Sequence, residues 1–255
     1  MSFFIKKTLA LFLAVFMGTG LAASQDTTEL TVSAAASLTN AFQEMGKLYE
    51  QKHPQVKMVF NFAASGTLLQ QIEKGAPVDV FASADQKTME QAQEKNLIVP
   101  ASRKNFVSNR LVLIVPGGAK EALADIKALA QPSIKRIALG NPEHVPAGRY
   151  TQEALQKLGL WETLSSKFIF GESVRQVLDY AARGEVEAAF VFATDAAVVP
   201  DKVKVVQEIK EHRPILYPMA IVAASKRQAA AQNWLDYVLS PEGQAILARY
   251  GFGAP

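Results

Sequence analysis

The sequence contains no cysteine, which excludes disulfides, thiolate catalysis, iron–sulfur ligation, Cys-based zinc sites and a lipidated N-terminal cysteine. Histidine is nearly as scarce: His53, His144 and His212 lie far apart, and none has a second histidine or a carboxylate at metal-ligand spacing on a helix. Neither charge is in surplus enough to make nucleic acid a partner, because 27 Lys and Arg face 24 Asp and Glu, a net +3. No apolar run reaches the roughly 20 residues that a membrane-spanning helix needs. No Ser/Gly run or low-complexity stretch marks a flexible linker. What is there is a chain of 255 residues, 49% hydrophobic and 20% charged, able to bury one large domain or two ordinary ones.

Residues 1–24 have the layout of a secretory signal peptide. Lys6 and Lys7 precede an unbroken apolar run from Leu9 to Met17, and Gly18 to Ser24 is small and weakly polar. Small residues allow cleavage after Ala22 or after Ser24. Taking Lys6 and Lys7 from the 27 basic residues leaves 25 against 24 acidic, so the mature chain is about neutral. The expected compartment is a periplasm, and the expected mature protein is soluble.

After this leader the pattern alternates between periods of two and of three to four residues. Glu29 to Ser33 reads as a strand, and Leu38, Phe42, Met45, Leu48 and Tyr49 as a helix. Val56 to Phe62 and Asp79 to Ser83 repeat the strand, each followed by a small-residue turn and a helix. Leu111 to Val115 is a strongly apolar strand, after which the rhythm restarts with strands at Ile137 to Gly140, Phe168 to Phe170 and Ala188 to Phe192. Helices are expected at Tyr150 to Leu158 and Val174 to Arg183. Pro214 to Ala223 is a last strand, and Ala229 to Tyr250 gives two helices broken at Ser240 and Pro241. Two rounds of β/α organisation predict an α/β protein of two similar lobes, each a mainly parallel sheet flanked by helices. The lobes would be joined by crossing strands, with residues 25–106 and 218–255 in the first and 107–217 in the second.

Ligand sites in such folds gather at the carboxyl ends of the strands. Five βα junctions carry small residues or hydroxyls there: Ala34 to Ser37, Ala63 to Thr67, Ser83 to Asp85, Val145 to Gly148 and Glu172 to Val174. Helix N-termini converging on one cleft supply unpaired N–H groups and partial positive charge, an anion site that needs no Lys or Arg. Ser37 and Ser65 add hydroxyl donors; the plainer reading makes these serines ordinary N-caps. Catalytic constellations are thin. Glu143 and His144 are the nearest thing to an acid/base pair beside either serine, and Gly117-Gly118 lacks the spacing of a phosphate or dinucleotide loop. The charged run Glu208 to Arg213 reads as a solvated loop, and Trp161 as a packing residue.

The residues Val32 to Thr39 (VSAAASLT), Phe62 to Leu68 (FAASGTL), Gly75 to Asp85 (GAPVDVFASAD) and Gly140 to Gly148 (GNPEHVPAG) together resemble the periplasmic molybdate-binding proteins of molybdate ABC transporters. The resemblance continues through Ala154 to Gly159 and Arg249 to Phe252, essentially the whole mature chain. It implies the type II periplasmic binding-protein fold, two lobes closing on a tetrahedral oxyanion held by hydrogen bonds alone. Carried across, it implies ligand contacts from the Ser37 and Ser65 hydroxyls, from the Ala84 backbone, and from backbone donors at Ala147 and Val174. Where the family often has a tyrosine hydroxyl, this chain has Phe192, which leaves Thr194 or water to take over that hydrogen bond.

The resemblance further implies a non-catalytic receptor without cofactor, metal reaching it only as the molybdate or tungstate oxyanion. Its partner would be the membrane permease of an ABC importer, and a monomer would suffice. The alternatives are a receptor for sulfate, phosphate or another oxyanion, a secreted hydrolase using Ser37 or Ser65 as nucleophile, and an effector-binding module of a regulator. Asp85 matters to the first of these, because a carboxylate turned into the cleft would accept a proton from hydrogen phosphate.

Overall fold

The computed structural model describes residues 27–119 and 123–255; the leader read at residues 1–24 lies outside them. In the first lobe, β1 (Thr28–Ala35), α1 (Thr39–Lys52), β2 (Val56–Ala63), α2 (Ser65–Glu73), β3 (Val80–Ala82) and α3 (Gln86–Glu94) alternate, followed by β4 (Lys104–Asn109). The second lobe holds β5 (Leu111–Pro116), β6 (Ile137–Gly140), α4 (Pro146–Lys157), α5 (Trp161–Leu164), β7 (Phe168–Gly171), α6 (Val174–Ala182), β8 (Ala188–Phe192), α7 (Ala193–Ala196) and β9 (Val203–Ile209). The chain then returns through β10 (Ile215–Ile221), α8 (Gln228–Leu239) and α9 (Pro241–Arg249).

The two five-stranded sheets have corresponding orders, β2-β1-β3-β10-β4 and β7-β6-β8-β5-β9. In each, three strands from βα units are parallel, and the other two join antiparallel. The sheets are thus mixed, with one opposed strand in each, β10 in the first and β5 in the second. The physical reason is the crossover: β10 enters the first sheet from the second lobe and β5 leaves the first lobe for the second, so each runs against its neighbours. The sheets part at Arg110, between β4 and β5, and within residues 210–214, between β9 and β10. Residues 107–109 and 215–217, placed in the second lobe by the sequence pattern, lie on strands of the first sheet. The pattern reads one strand where β4 and β5 are two, and gives no strand at β9, whose exposed positions break the alternation.

Burial explains why these segments fold as they do. The central strand β1 is completely enclosed from Val32 to Ala35, as expected of a strand with helices on both faces. Helix α1 turns Ala41, Phe42, Met45 and Tyr49 inward at helical spacing. Trp234 of α8 packs edge-on against Phe42 and Tyr49, at centroid distances of 5.7 and 5.3 Å, and so fastens the C-terminal helices to the first lobe. The break between α8 and α9 comes from Ser240, whose hydroxyl caps α9 by accepting from the Gly243 N–H, and from Pro241 in the first helical position. Trp161 packs on Phe168 at 4.7 Å, the structural role read from sequence.

Candidate functional site

Ser37, Ser65, Ala84, Ala147, Val174 and Phe192 all line one small cavity between the lobes, with Ala35, Ala36, Ala63, Ala64, Val145 and Pro146 completing the wall. The strand ends deliver them: β1 leads to the 3-10 turn Ala36–Leu38, β2 to α2, β3 to Ala84, β6 to α4, β7 to α6, and β8 ends at Phe192. All six are buried, none more than 4% exposed, so the lobes stand closed over the cavity and must part to admit a ligand.

The serines are not N-caps. Ala64 occupies the cap position of α2 and Ala35 that of the 3-10 turn, neither with a side-chain cap bond. Ser173 and Asp85, by contrast, do cap α6 and α3, accepting from the Gln176 and Thr88 N–H groups. Freed from capping, the Ser37 hydroxyl pairs with the Tyr217 hydroxyl at 2.9 Å, and Ser65 Oγ accepts from the Ala84 N–H at 2.9 Å. The Ala84 N–H, implied by resemblance as a ligand donor, thus acts on Ser65. Ser65 opens α2, Val174 opens α6 and Ala147 follows Pro146 at the start of α4, so their N–H groups have no intrahelical acceptor. Ser37 and Ser65 are the polar side chains among the lining residues.

Among the described residues, no acidic side chain lines the cavity. Asp85 is turned away: Oδ1 accepts from the Thr88 N–H, and Oδ2 from Arg149 Nε at 2.7 Å. His144 pairs through Nε2 with Glu172 at 2.9 Å, and its backbone oxygen accepts from the Gly66 N–H at 3.0 Å. Among the described residues, neither serine hydroxyl has a histidine or carboxylate partner. Among the described residues, no cluster of three or more His, Cys, Asp or Glu could hold a metal ion. Phe192 packs its ring against Tyr150 and Tyr217, and Thr194 is absent from the lining, its hydroxyl accepting from Asn109 Nδ2 at 2.9 Å.

Two arginines of the second lobe reach into the first. Arg149 on α4 bonds Asp85 and, through Nη2, Thr88 Oγ1 at 2.7 Å. Arg175 on α6 donates to Asn40 Oδ1 at 2.8 Å and to the Ser37 carbonyl at 3.4 Å, while Nε is held by Asp195 of its own lobe. Burial pushes the Asp195 carboxyl up to about 6 against the pull of that guanidinium. The lobes also touch at Gly66, where a Cβ would stand 2.7 Å from the His144 Cα. The two arginines went unread in the sequence, although a cation in the first turn of a helix opposes the dipole and so signals a partner elsewhere.

Two α/β lobes with a buried, donor-lined cavity between them define a binding protein that closes over a small solute. Residues 30–253 match the family of bacterial extracellular solute-binding proteins, and the chain belongs to it. Among relatives, the molybdate-binding protein ModA of Escherichia coli K12 is 42% identical over 233 residues, 89% of this chain and 90% of its own. The periplasmic molybdate-binding protein of Azotobacter vinelandii superposes with a TM-score of 0.78 at 26% identity, covering 89% of this chain and 99% of that one. The sulfate-binding protein SubI of Mycobacterium tuberculosis, at 16% identity and a TM-score of 0.79, covers 88% of this chain and 86% of its own and shares the fold.

Proposed function

We propose that this protein is a non-catalytic periplasmic receptor that captures molybdate, and tungstate with it, between its closing lobes and delivers the anion to the permease of an ABC importer. The observation that carries this reading is the cavity itself: it is lined by two serine hydroxyls and by helix-starting N–H groups and, among the described residues, by no acidic side chain. Such a wall suits a fully deprotonated dianion, because an anion that keeps a proton would turn it toward donors with no acceptor to receive it. The identity with molybdate-binding relatives supports the choice of anion. A leader at residues 1–24 and export to the periplasm fit the family, and a monomer would suffice for the role.

Closure follows from where the donors sit. Ser37 and Ser65 belong to the first lobe, Ala147 and Val174 to the second, so a bound ligand bridges them and adds to the interlobe bonds of Arg149 and Arg175 in stabilising the closed form. The test is isothermal titration calorimetry of anion-free mature protein with molybdate, tungstate, sulfate and phosphate at about pH 7.5. One-to-one sub-micromolar binding of the first two, with the others silent, is the expected result. Binding of sulfate or phosphate alone would overturn the assigned ligand, and silence for all four would overturn the receptor reading.

A further inference from the structure

The Ser37 hydroxyl lies at the end of a chain of hydrogen bonds whose direction can be followed atom by atom. Asn109 closes β4 immediately before the crossover, and its Oδ1 accepts from the Arg110 backbone N–H at 2.8 Å. That bond fixes the amide, so Nδ2 is the group turned toward Thr194 Oγ1 and toward the Tyr217 hydroxyl oxygen at 3.1 Å. An amide nitrogen only donates. The Tyr217 oxygen therefore accepts from Asn109, and among the described residues Ser37 Oγ, 2.9 Å away, is the acceptor within reach of its buried proton, so the proton goes there. Ser37 Oγ, accepting from Tyr217, keeps its proton for the cavity.

We infer that Asn109 and Tyr217 are positioning residues that hold the Ser37 hydroxyl as a donor toward the cavity, and thereby set the preference of the site for fully deprotonated oxyanions. This rests on the oxyanion-receptor reading above. Tyr217 is fully buried on the crossing strand β10, and burial together with nearby Asp195 raises its phenol well above the usual range, so it stays protonated. The Phe192 ring lies 5.8 Å from the Tyr217 ring, so a phenol acts here from β10, one step behind the cavity wall, where β8 offers only an apolar ring. Ser65 is held alike: the Ala84 N–H occupies its oxygen, and its proton is left for the ligand. In both lining hydroxyls one lone pair is thus filled from behind and the proton is left for the ligand, though through different partners.

The experiment compares wild type, Tyr217→Phe and Asn109→Asp by calorimetric titration with molybdate, and by competition of phosphate against molybdate, at about pH 7.5. Tyr217→Phe removes one hydroxyl and frees Ser37 Oγ to rotate and accept. The expected result is about tenfold weaker molybdate binding, with phosphate gaining at least about tenfold on molybdate as a competitor. Asn109→Asp turns the relay round, since the carboxylate only accepts, so that Tyr217 donates to it and Ser37 must donate to Tyr217. Its charge repels both anions alike, so the ratio between them is what is read, and that ratio should also fall. If Tyr217→Phe does not fold, as melting without anion would show, Asn109→Asp carries the comparison alone.

An unchanged ratio in the folded variants, whether affinity stays at the wild-type level or both anions weaken in proportion, would overturn the relay while leaving the receptor reading intact. A wild-type protein that binds no oxyanion would overturn both.

Discussion

The two lobes share a sheet order and place strand ends at the same cavity, yet they equip those ends differently. The first lobe brings side-chain hydroxyls, Ser37 and Ser65, each with its oxygen occupied by a donor from behind. The second brings backbone at the starts of α4 and α6, the apolar ring of Phe192, and the two arginines that grip the opposite lobe. The difference teaches that the lobes share recognition but not closure: the first lobe supplies hydroxyl donors held in place from behind, and the second supplies fixed dipoles together with the side chains that hold the lobes shut. An anion bound only by the first lobe would miss half its donors, which makes closure part of the affinity.

The largest effect should come from the first lobe. Ser37→Ala and Ser65→Ala each remove a hydrogen bond to a charged ligand, about 1.5 to 3 kcal/mol, or roughly tenfold to a hundredfold in Kd by calorimetry. Ser65→Ala also strips the Ala84 N–H of its acceptor, so it should be the worse of the two. Equal loss from a serine outside the cavity, such as Ser173→Ala, would break the comparison.

Closure comes next. Gly66→Ala places a methyl group 2.7 Å from the His144 Cα across the lobe boundary, a clash that exists only when the lobes are shut. Overpacking of about 1 to 3 kcal/mol, felt by the closed form alone, predicts about fivefold to a hundredfold weaker binding with an unchanged melting temperature in the absence of anion. A lowered melting temperature with normal affinity would assign Gly66 to folding instead. Arg149→Ala should weaken binding about tenfold by removing the charge-assisted bond to Asp85, and should leave the anion-free chain more open in small-angle X-ray scattering. Normal affinity and an unchanged scattering profile would take Arg149 out of the closing machinery.

The smallest effect is one of pH. Asp195 is pushed from 3.8 up to about 6 in the folded chain, so the folded state holds a proton that the unfolded chain releases earlier. That contributes stability which is fully present below about 3.8 and is lost as pH rises through about 6. Melting temperatures at about pH 5 and about pH 7.5 should therefore differ less in Asp195→Asn than in wild type. Parallel profiles would contradict the buried titration.

Much of this was legible in the sequence, for reasons that differ by element. The parallel strands β1, β2, β3, β6, β7 and β8 are followed by small residues or hydroxyls, so pattern and turn chemistry agree, and the six lining residues fall at or beyond their ends. The crossing strands were harder. β4 and β5 belong to different sheets but meet at the single residue Arg110, and β9 alternates too weakly to be seen. The support behind the site was invisible because it is long-range. Tyr217 reaches Ser37 across 180 positions, and Arg175 reaches Asn40 across 135. A hydroxyl in the apolar strand Ile215–Ile221 and arginines in first helical turns were the signals available.

The central claim is that one deprotonated oxyanion sits between hydroxyls of the first lobe and helix starts of the second. A crystal structure of the mature protein grown with molybdate, with molybdenum located by its anomalous scattering, tests this most directly. The account predicts one metal-centred peak in the closed cavity, with its oxygens within hydrogen-bond distance of Ser37 Oγ, Ser65 Oγ and the N–H groups of Ala147 and Val174. A peak elsewhere, such as the cavity beside Gly117, Ile134 and Arg183, or no peak between the lobes, would contradict it.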